Sequence, residues 1–458
     1  VCPDVNYGAA VHADKWIPVN PNTDVALHMA IAYTWIANGW YDQEYLDTHA
    51  VGFDWIKYYV MGGEDGVAKT PEWAAVITGI SADRIRSLAE EIATTSPLYV
   101  NQGWGPQRRS NGEWTAWSIM ALPCLVGQIG LPGTSNGTRE ARNSPSLASM
   151  SAGENPIKTS IPCFLFTDAI DHGTEMTSKN AGVKGADALS VNIKYMINYA
   201  GNCLTNQHSD INKAHEILAD DSKCEFILGI DTVMCDSMNY SDIVLPDLFR
   251  FEQTSQIATG SDWGYVITGT ACTTPKFERK TAYEMASLMA EKLGVQDEFT
   301  EGKTEEDRIK EQYEESREKD DELPTWDEMV ERGVYTRAYD PVVSMKKFRD
   351  DPAGNALDTP SGKIEIFSEK LLQFTEGWEL AEGDTLPGME TLPPIPAYIP
   401  EWYGVETTTD EFPASIIVGE FTPHGAFSPS LRRSIRRRRG LTRSMPRDAV
   451  SSRAIRFM

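Results

Sequence analysis

At 458 residues, with 41% apolar and 10% aromatic side chains, the chain is too long for one hydrophobic core and has the composition of a globular protein of two or three domains. A formal charge of -25 argues against a nucleic-acid partner, because phosphate binding needs a basic face. No run approaches the roughly 18 apolar residues of a membrane span.

The first residues, "VCPDVNYGAA", lack a leader and an initiator methionine and read as the middle of a strand with its exit loop, so a start inside a larger protein is expected. From about 24 to 128 the pattern is α/β. "DVALHMAIAYTWIANGW" has helical spacing, and "SADRIRSLAEEIATT" opens on Ser81 as an N-cap ahead of Ile85, Leu88 and Ile92. "PLYVNQGWGPQRRSNGEWTAWSIMALPCLVGQIG" predicts a strand ending near Val100, a polar loop, and a long apolar helix closed by Gly127 and Gly130.

The same unit recurs between 191 and 247. "VNIKYMINYA" predicts a strand leading into the helix of "NYAGNCLTNQHSDINKAHEILAD", and "CEFILGIDTVMCDSMNYSDIVLPD" supplies two more strands around a polar segment. Continuous apolar strands alternating with helices predict a parallel sheet covered on both faces. The charge-dense stretch between 296 and 331 reads as a solvated surface helix. "LPPIPAYIP" (392 to 400) reads as a linker into another domain near residue 412. The expected divisions are therefore an α/β domain over 1–140, a second over 141–295, and a charged helical segment with its linker over 296–411.

In a doubly wound sheet, ligands bind beyond the carboxyl ends of the strands. Three polar loops fall there: Gln102, Trp104, Gln107 and Arg108 in the first; Asn202, Gln207, His208 and Asp210 in the second; Asp231, Thr232, Ser237 and Asp242 in the third. Each has a structural alternative: Trp104 as core, Asp210 or Asp231 as a helix cap, Arg108 as a surface cation. Taken together they suit a long nucleotide-like cofactor. Aspartate accepts the N1 and N2 hydrogens of guanine, Arg108 and backbone N–H groups suit pyrophosphate, and Asn and Gln amides match a pterin edge. The residues leave NAD, FAD and a molybdopterin dinucleotide open, with the lack of G-x-G-x-x-G weighing against the first two. The seven cysteines, Cys2, Cys124, Cys163, Cys203, Cys224, Cys235 and Cys272, form no C-x-x-C pair and read as buried free thiols, so no metal ligand is assigned in this chain.

"NQGWGPQR…NGE", "LVGQIGLPGTSNGTRE", "YAGNCLTNQHSDIN", "HEILADDSKCEFILGID", "YSDIVLPD" and "TPSGKIEIFSE" resemble the dimethyl sulfoxide reductase family of molybdopterin oxidoreductases, in the branch of membrane-bound respiratory catalytic subunits. The likeness runs from Trp16 to about Phe421. It implies two doubly wound parallel-sheet α/β domains holding molybdenum on a bis(molybdopterin guanine dinucleotide), lined by Thr23, Asp24, Trp104, Gln107, Arg108, Asn202, Gln207, His208, Asp210, Asp231 and Asp242. Arg139 of "GTRE" is a catalytic candidate near the metal. The resemblance further implies oxygen-atom removal from dimethyl sulfoxide or another S-oxide or N-oxide. Electrons would come from a quinol through an iron–sulfur partner subunit and a membrane anchor subunit, on the outer face of the cytoplasmic membrane. The family's 4Fe-4S cysteines and metal ligand belong to a segment ahead of residue 1. Selenate, biotin sulfoxide, nitrate or formate as substrate, or an inactive truncated product, stay open on the residues alone.

Residues 412–424 then read as the first strand of the family's C-terminal β-barrel domain. The following 425–458 segment has ten arginines, no lysine and one acidic residue, the composition of a GC-rich gene read out of frame, so a frameshift near codon 424 is expected.

Overall fold

The stretch Asp24–Asn38 is apolar on every side, and such a helix must lie inside the protein. In a computed structural model of the chain it forms α1, whose residues Val25 to Ala32, Thr34, Trp35 and Ile36 are buried, and it ends where Gly39 takes φ 71°. The structure describes residues 2–3, 12–103, 105–135, 144–150, 154–206, 210–254, 256–259, 264–376, 392–401, 404, 406 and 409–410. Trp104, Arg139, Gln207, His208, the side chain of Gln107 and the 412–424 and 425–458 segments lie outside the described residues.

Around α1 pack α2 (Gln43–His49), α3 (Phe53–Val60), α4 (Pro71–Thr78), α5 (Ala82–Thr94) and α6 (Gly112–Leu125), which share one apolar core. Asp42 and Thr70 cap α2 and α4 by accepting the N–H groups of Tyr45 and Trp73. Ser81 stands at the N-cap of α5 in extended conformation, although its hydroxyl makes no capping bond. The Trp35 indole donates to the Ala89 carbonyl of α5 at 2.7 Å. Inside the same core His28 of α1 meets the Ser118 hydroxyl of α6 at 2.7 Å, and burial pushes the imidazole down to about 4.

The strand expected near Val100 is not formed. The Leu98 N–H donates to Gln128 Oε1 and the Val100 N–H to Ser135 Oγ, so side chains that follow α6 take the place a neighbouring strand would have had. The cysteines also divide: Cys124 and Cys224 are buried, whereas Cys163 and Cys272 lie exposed outside the longer helices and strands.

The second unit has the expected parallel sheet. Strands β1 (Tyr195–Tyr199), β2 (Phe226–Asp231) and β3 (Ile243–Pro246) pair in that order, with Ile197 opposite Leu228 and Leu228 opposite Ile243. Helices α7 (Phe166–Asp171) and α8 (Ile211–Leu218) cover one face through Ile170, Ile217, Leu218 and Ile227. Helix α9 (Ala282–Leu293) covers the other through Met285 against Leu228 and Ile230. The central strand is buried on both sides, which is why its sequence shows no alternation.

An antiparallel sheet, β4 (Gln256–Thr259), β5 (Tyr265–Gly269) and β6 (Val334–Thr336), follows and was not foreseen. On it lie α10 (Glu305–Lys319) and α11 (Trp326–Arg332), joined through Val266, Tyr313, Leu323 and Met329. The charge-dense segment thus does form a helix, α10, and most of it is solvated. It also buries a stripe of Ile309, Tyr313 and Ser316 at helical spacing.

The Pro-rich stretch is core rather than linker. Ile395, Ala397 and Ile399 are buried with Ile366 in the first core, and Trp114 and Trp117 donate to the carbonyls of Pro393 and Glu365. Proline holds the segment extended, so alternate residues share one face. Ile364 and Glu365 also pair in parallel with Ala50 and Val51, beside Gly52 at φ 93°. A Cβ there would sit 2.4 Å from the Phe367 nitrogen. Gly52→Ala is expected to destabilise by more than about 1 kcal/mol, since both the positive φ and the close approach oppose a side chain. A thermal melt with unchanged midpoint would contradict this packing.

Candidate functional site

The carboxyl ends of β1, β2 and β3 gather a group of polar side chains. After Tyr199, Ala200 takes a left-handed φ of 51° and donates its N–H to the Ile230 carbonyl at 2.8 Å, which turns the chain sharply out of the sheet. The turn is held from within by Asn198, a buried amide on β1. Its nitrogen donates to the Gly201 carbonyl at 2.9 Å, and its oxygen receives the Cys203 thiol at 3.2 Å. Next comes Asn202, whose Oδ1 accepts from both the backbone N–H (2.9 Å) and the hydroxyl (2.8 Å) of Ser237. The Thr205 N–H donates in turn to Ser237 Oγ at 3.2 Å.

At the end of β2, Asp231 accepts the N–H groups of Thr232 (2.6 Å) and Val233 (3.4 Å) on Oδ1. At the end of β3, the buried Asp247 accepts from the Leu248 N–H at 2.8 Å. Partial burial, and then the Asp247 carboxylate, push the Tyr199 phenol up. Burial, aided by the Glu284 and Asp247 carboxylates, likewise raises the Glu305 carboxyl, while a hydrogen bond with Thr281 opposes it. This edge therefore favours N–H donors near its carboxylates and an acceptor near Asn202.

A second polar group lies where α1 and α6 begin. Thr23 is buried at the start of α1 with its hydroxyl on the Asn20 carbonyl at 2.8 Å, and Asp24 occupies the first helical turn. The Asn22 amide donates to the Ser110 carbonyl at 2.9 Å, which ties this turn to the loop carrying Arg108. In that loop Gln102 Oε1 is buried without a hydrogen-bond partner among the described residues.

Two of the sequence candidates sit elsewhere or are already engaged. Asp242 precedes β3, so a parallel sheet places it at the amino edge, a strand length from Asp231. There its Oδ2 accepts the Ile227 N–H at 2.7 Å. Asp210 caps α8 by accepting the Lys213 N–H at 3.2 Å, the structural role that a strand-to-helix joint always leaves open for an aspartate. Asn198, Thr205 and Asp247 went unread in the sequence. Only Asn198 had a signal, an amide inside an apolar strand. Among the described residues no group of three or more His, Cys, Asp or Glu is arranged to hold a metal ion.

The molybdopterin oxidoreductase family profile matches residues 2–292. The chain is 46% identical over 420 residues to "Dimethyl sulfoxide reductase DmsA" of Haemophilus influenzae, covering 88% of this chain and 52% of that protein. It is also 46% identical over 405 residues to the protein of the same name from Escherichia coli, covering 84% of this chain and 49% of that protein. The chain thus spans about half the length of the curated relatives it matches. The solved structure of acetylene hydratase from Pelobacter acetylenicus superposes with a TM-score of 0.57 at 19% identity, over 86% of this chain and 52% of that one, which is a likeness of fold.

Proposed function

The chain belongs to the molybdopterin oxidoreductase family, and from that premise we propose that it is part of the catalytic subunit of a molybdenum enzyme that reduces dimethyl sulfoxide or a related S-oxide or N-oxide. The observation that carries this reading is the 46% identity, sustained over 420 residues, to a protein named for that reaction. Two electrons and two protons convert a sulfoxide to a sulfide and water. The molybdenum–molybdopterin group, when bound, supplies the two-electron oxygen-atom transfer.

What the side chains leave unpaired fits such a group. The buried Gln102 carbonyl oxygen needs a donor, which a pterin N–H provides, and no described residue accepts from the Asn202 amide nitrogen. Thr23, Asp24 and Arg108 would hold the group beside α1 and α6, and Asn202 and Asp231 would hold a guanine dinucleotide arm at the sheet edge. Asp210 and Asp242 each hold one backbone N–H on one carboxylate oxygen, a structural role beside any contact they make with the group. The Asp231 carboxylate, whose second oxygen has a thiol at 3.9 Å as its one hydrogen-bond partner among the described residues, suits the N–H donors of guanine. An iron–sulfur cluster in the complete protein, an iron–sulfur partner subunit and a membrane anchor subunit, on the outer face of the cytoplasmic membrane, complete the reading by family resemblance. Among the described residues no helix is long and apolar enough to cross a membrane itself.

Purifying the full-length gene product under anaerobic conditions tests this. Molybdenum and guanine nucleotide are expected together after denaturation, and dimethyl sulfoxide is expected to oxidise a reduced viologen in its presence. Protein without molybdenum, or one that turns over nitrate and not dimethyl sulfoxide, would overturn the reading.

A further inference from the structure

A carboxamide can offer a ligand either its oxygen or its two N–H groups, and which of them faces outward decides what it recognises. At Asn202 the neighbours make that choice. The backbone N–H of Ser237 can only donate, so the atom 2.9 Å from it must be the amide oxygen. The Ser237 hydroxyl receives the Thr205 N–H at 3.2 Å and has the same amide oxygen at 2.8 Å as its nearer partner, with the Thr205 hydroxyl at 3.3 Å. A flipped amide would set N–H against N–H at the first contact and turn the hydroxyl of the second from donor to acceptor. Ser237 is fully buried and Thr205 nearly so, whereas Asn202 is exposed.

We propose that Ser237 is a positioning residue which locks the Asn202 carboxamide with its N–H groups outward, so that this end of β1 takes an acceptor oxygen of the nucleotide arm. The inference rests on the proposed cofactor and adds what that reading lacks, the polarity of one contact. The oxygen belongs either to a phosphoryl group or to the base carbonyl; both present the same acceptor chemistry.

Calorimetric titration of the full-length apoprotein with guanosine diphosphate, guanosine and pyrophosphate distinguishes the sources, because the second probe lacks phosphate and the third lacks base. Asn202→Asp keeps the oxygen that Ser237 holds and removes the donors. It is expected to weaken guanosine diphosphate about tenfold, the scale of one lost hydrogen bond. Ser237→Ala is expected to weaken it several-fold, and Ser237→Thr to retain binding. The deciding measurement is S237A in the N202D background. If Ser237 acts through Asn202, the second substitution adds nothing to the first. An equal loss from S237A in both backgrounds, or no loss in either, overturns the positioning role while leaving the cofactor reading intact. A wild-type protein that binds none of the three probes overturns both.

Discussion

Acidification from pH 7 to about 4 is expected to cost the first helical core about 3 kcal/mol through His28 alone. The imidazole is buried between α1 and α6, and its folded value lies near 4 against 6.5 in the unfolded chain. Below 6.5 the unfolded state binds a proton that the folded state refuses, so stability rises with pH across this window. The contribution is complete above 6.5, is lost progressively as pH falls toward 4, and changes little beyond. His28→Gln keeps an amide donor for Ser118 and does not titrate. Urea midpoints for the two proteins should therefore converge as the pH is lowered, after allowance for their offset at neutral pH. Parallel profiles across the window would show that His28 is hydrated or already charged in the folded protein.

Trp35→Ala is expected to be of similar or larger consequence, about 3–5 kcal/mol from the vacated volume. The side chain is wholly buried on α1, and its removal also takes from the Ala89 carbonyl of α5 the bond it accepts from the indole in addition to its helical one. Trp35→Phe separates the two effects, because it fills most of the volume and loses only the hydrogen bond, a change of about 1 kcal/mol. The denaturant transition of helical signal measures both. A Trp35→Ala loss below that of Trp35→Phe would mean that the core collapses onto the gap, and that α1 is not its fixed centre.

These two residues illustrate how unevenly the sequence discloses its structure. That α1 is buried could be read from an unbroken apolar run ending at glycine, since helix period and termination are local properties. The three parallel strands were legible for the same reason: short apolar runs bounded by polar joints have few other uses in an α/β chain. The antiparallel sheet escaped notice because β6 is only Val334–Thr336 and pairs with residues far from it in sequence. The strand expected to end near Val100 failed because Gln128 and Ser135, some thirty residues later, accept the N–H groups of Leu98 and Val100.

At the candidate site the division is sharper. Local pattern and the run of motifs were enough to locate the polar joints, the family and the kind of group they suit, because residue types at strand ends carry that much by themselves. Tertiary structure alone decided which backbone groups each of those side chains meets. Asp210, Asp231 and Asp242 are the same letter in a sequence, yet one caps α8, one ends β2 at the carboxyl edge, and one braces the amino edge through Ile227. The reason is physical: a hydrogen-bonding side chain is defined by the donor or acceptor that reaches it in space, and for Asn202 that donor, Ser237, arrives from the segment between β2 and β3.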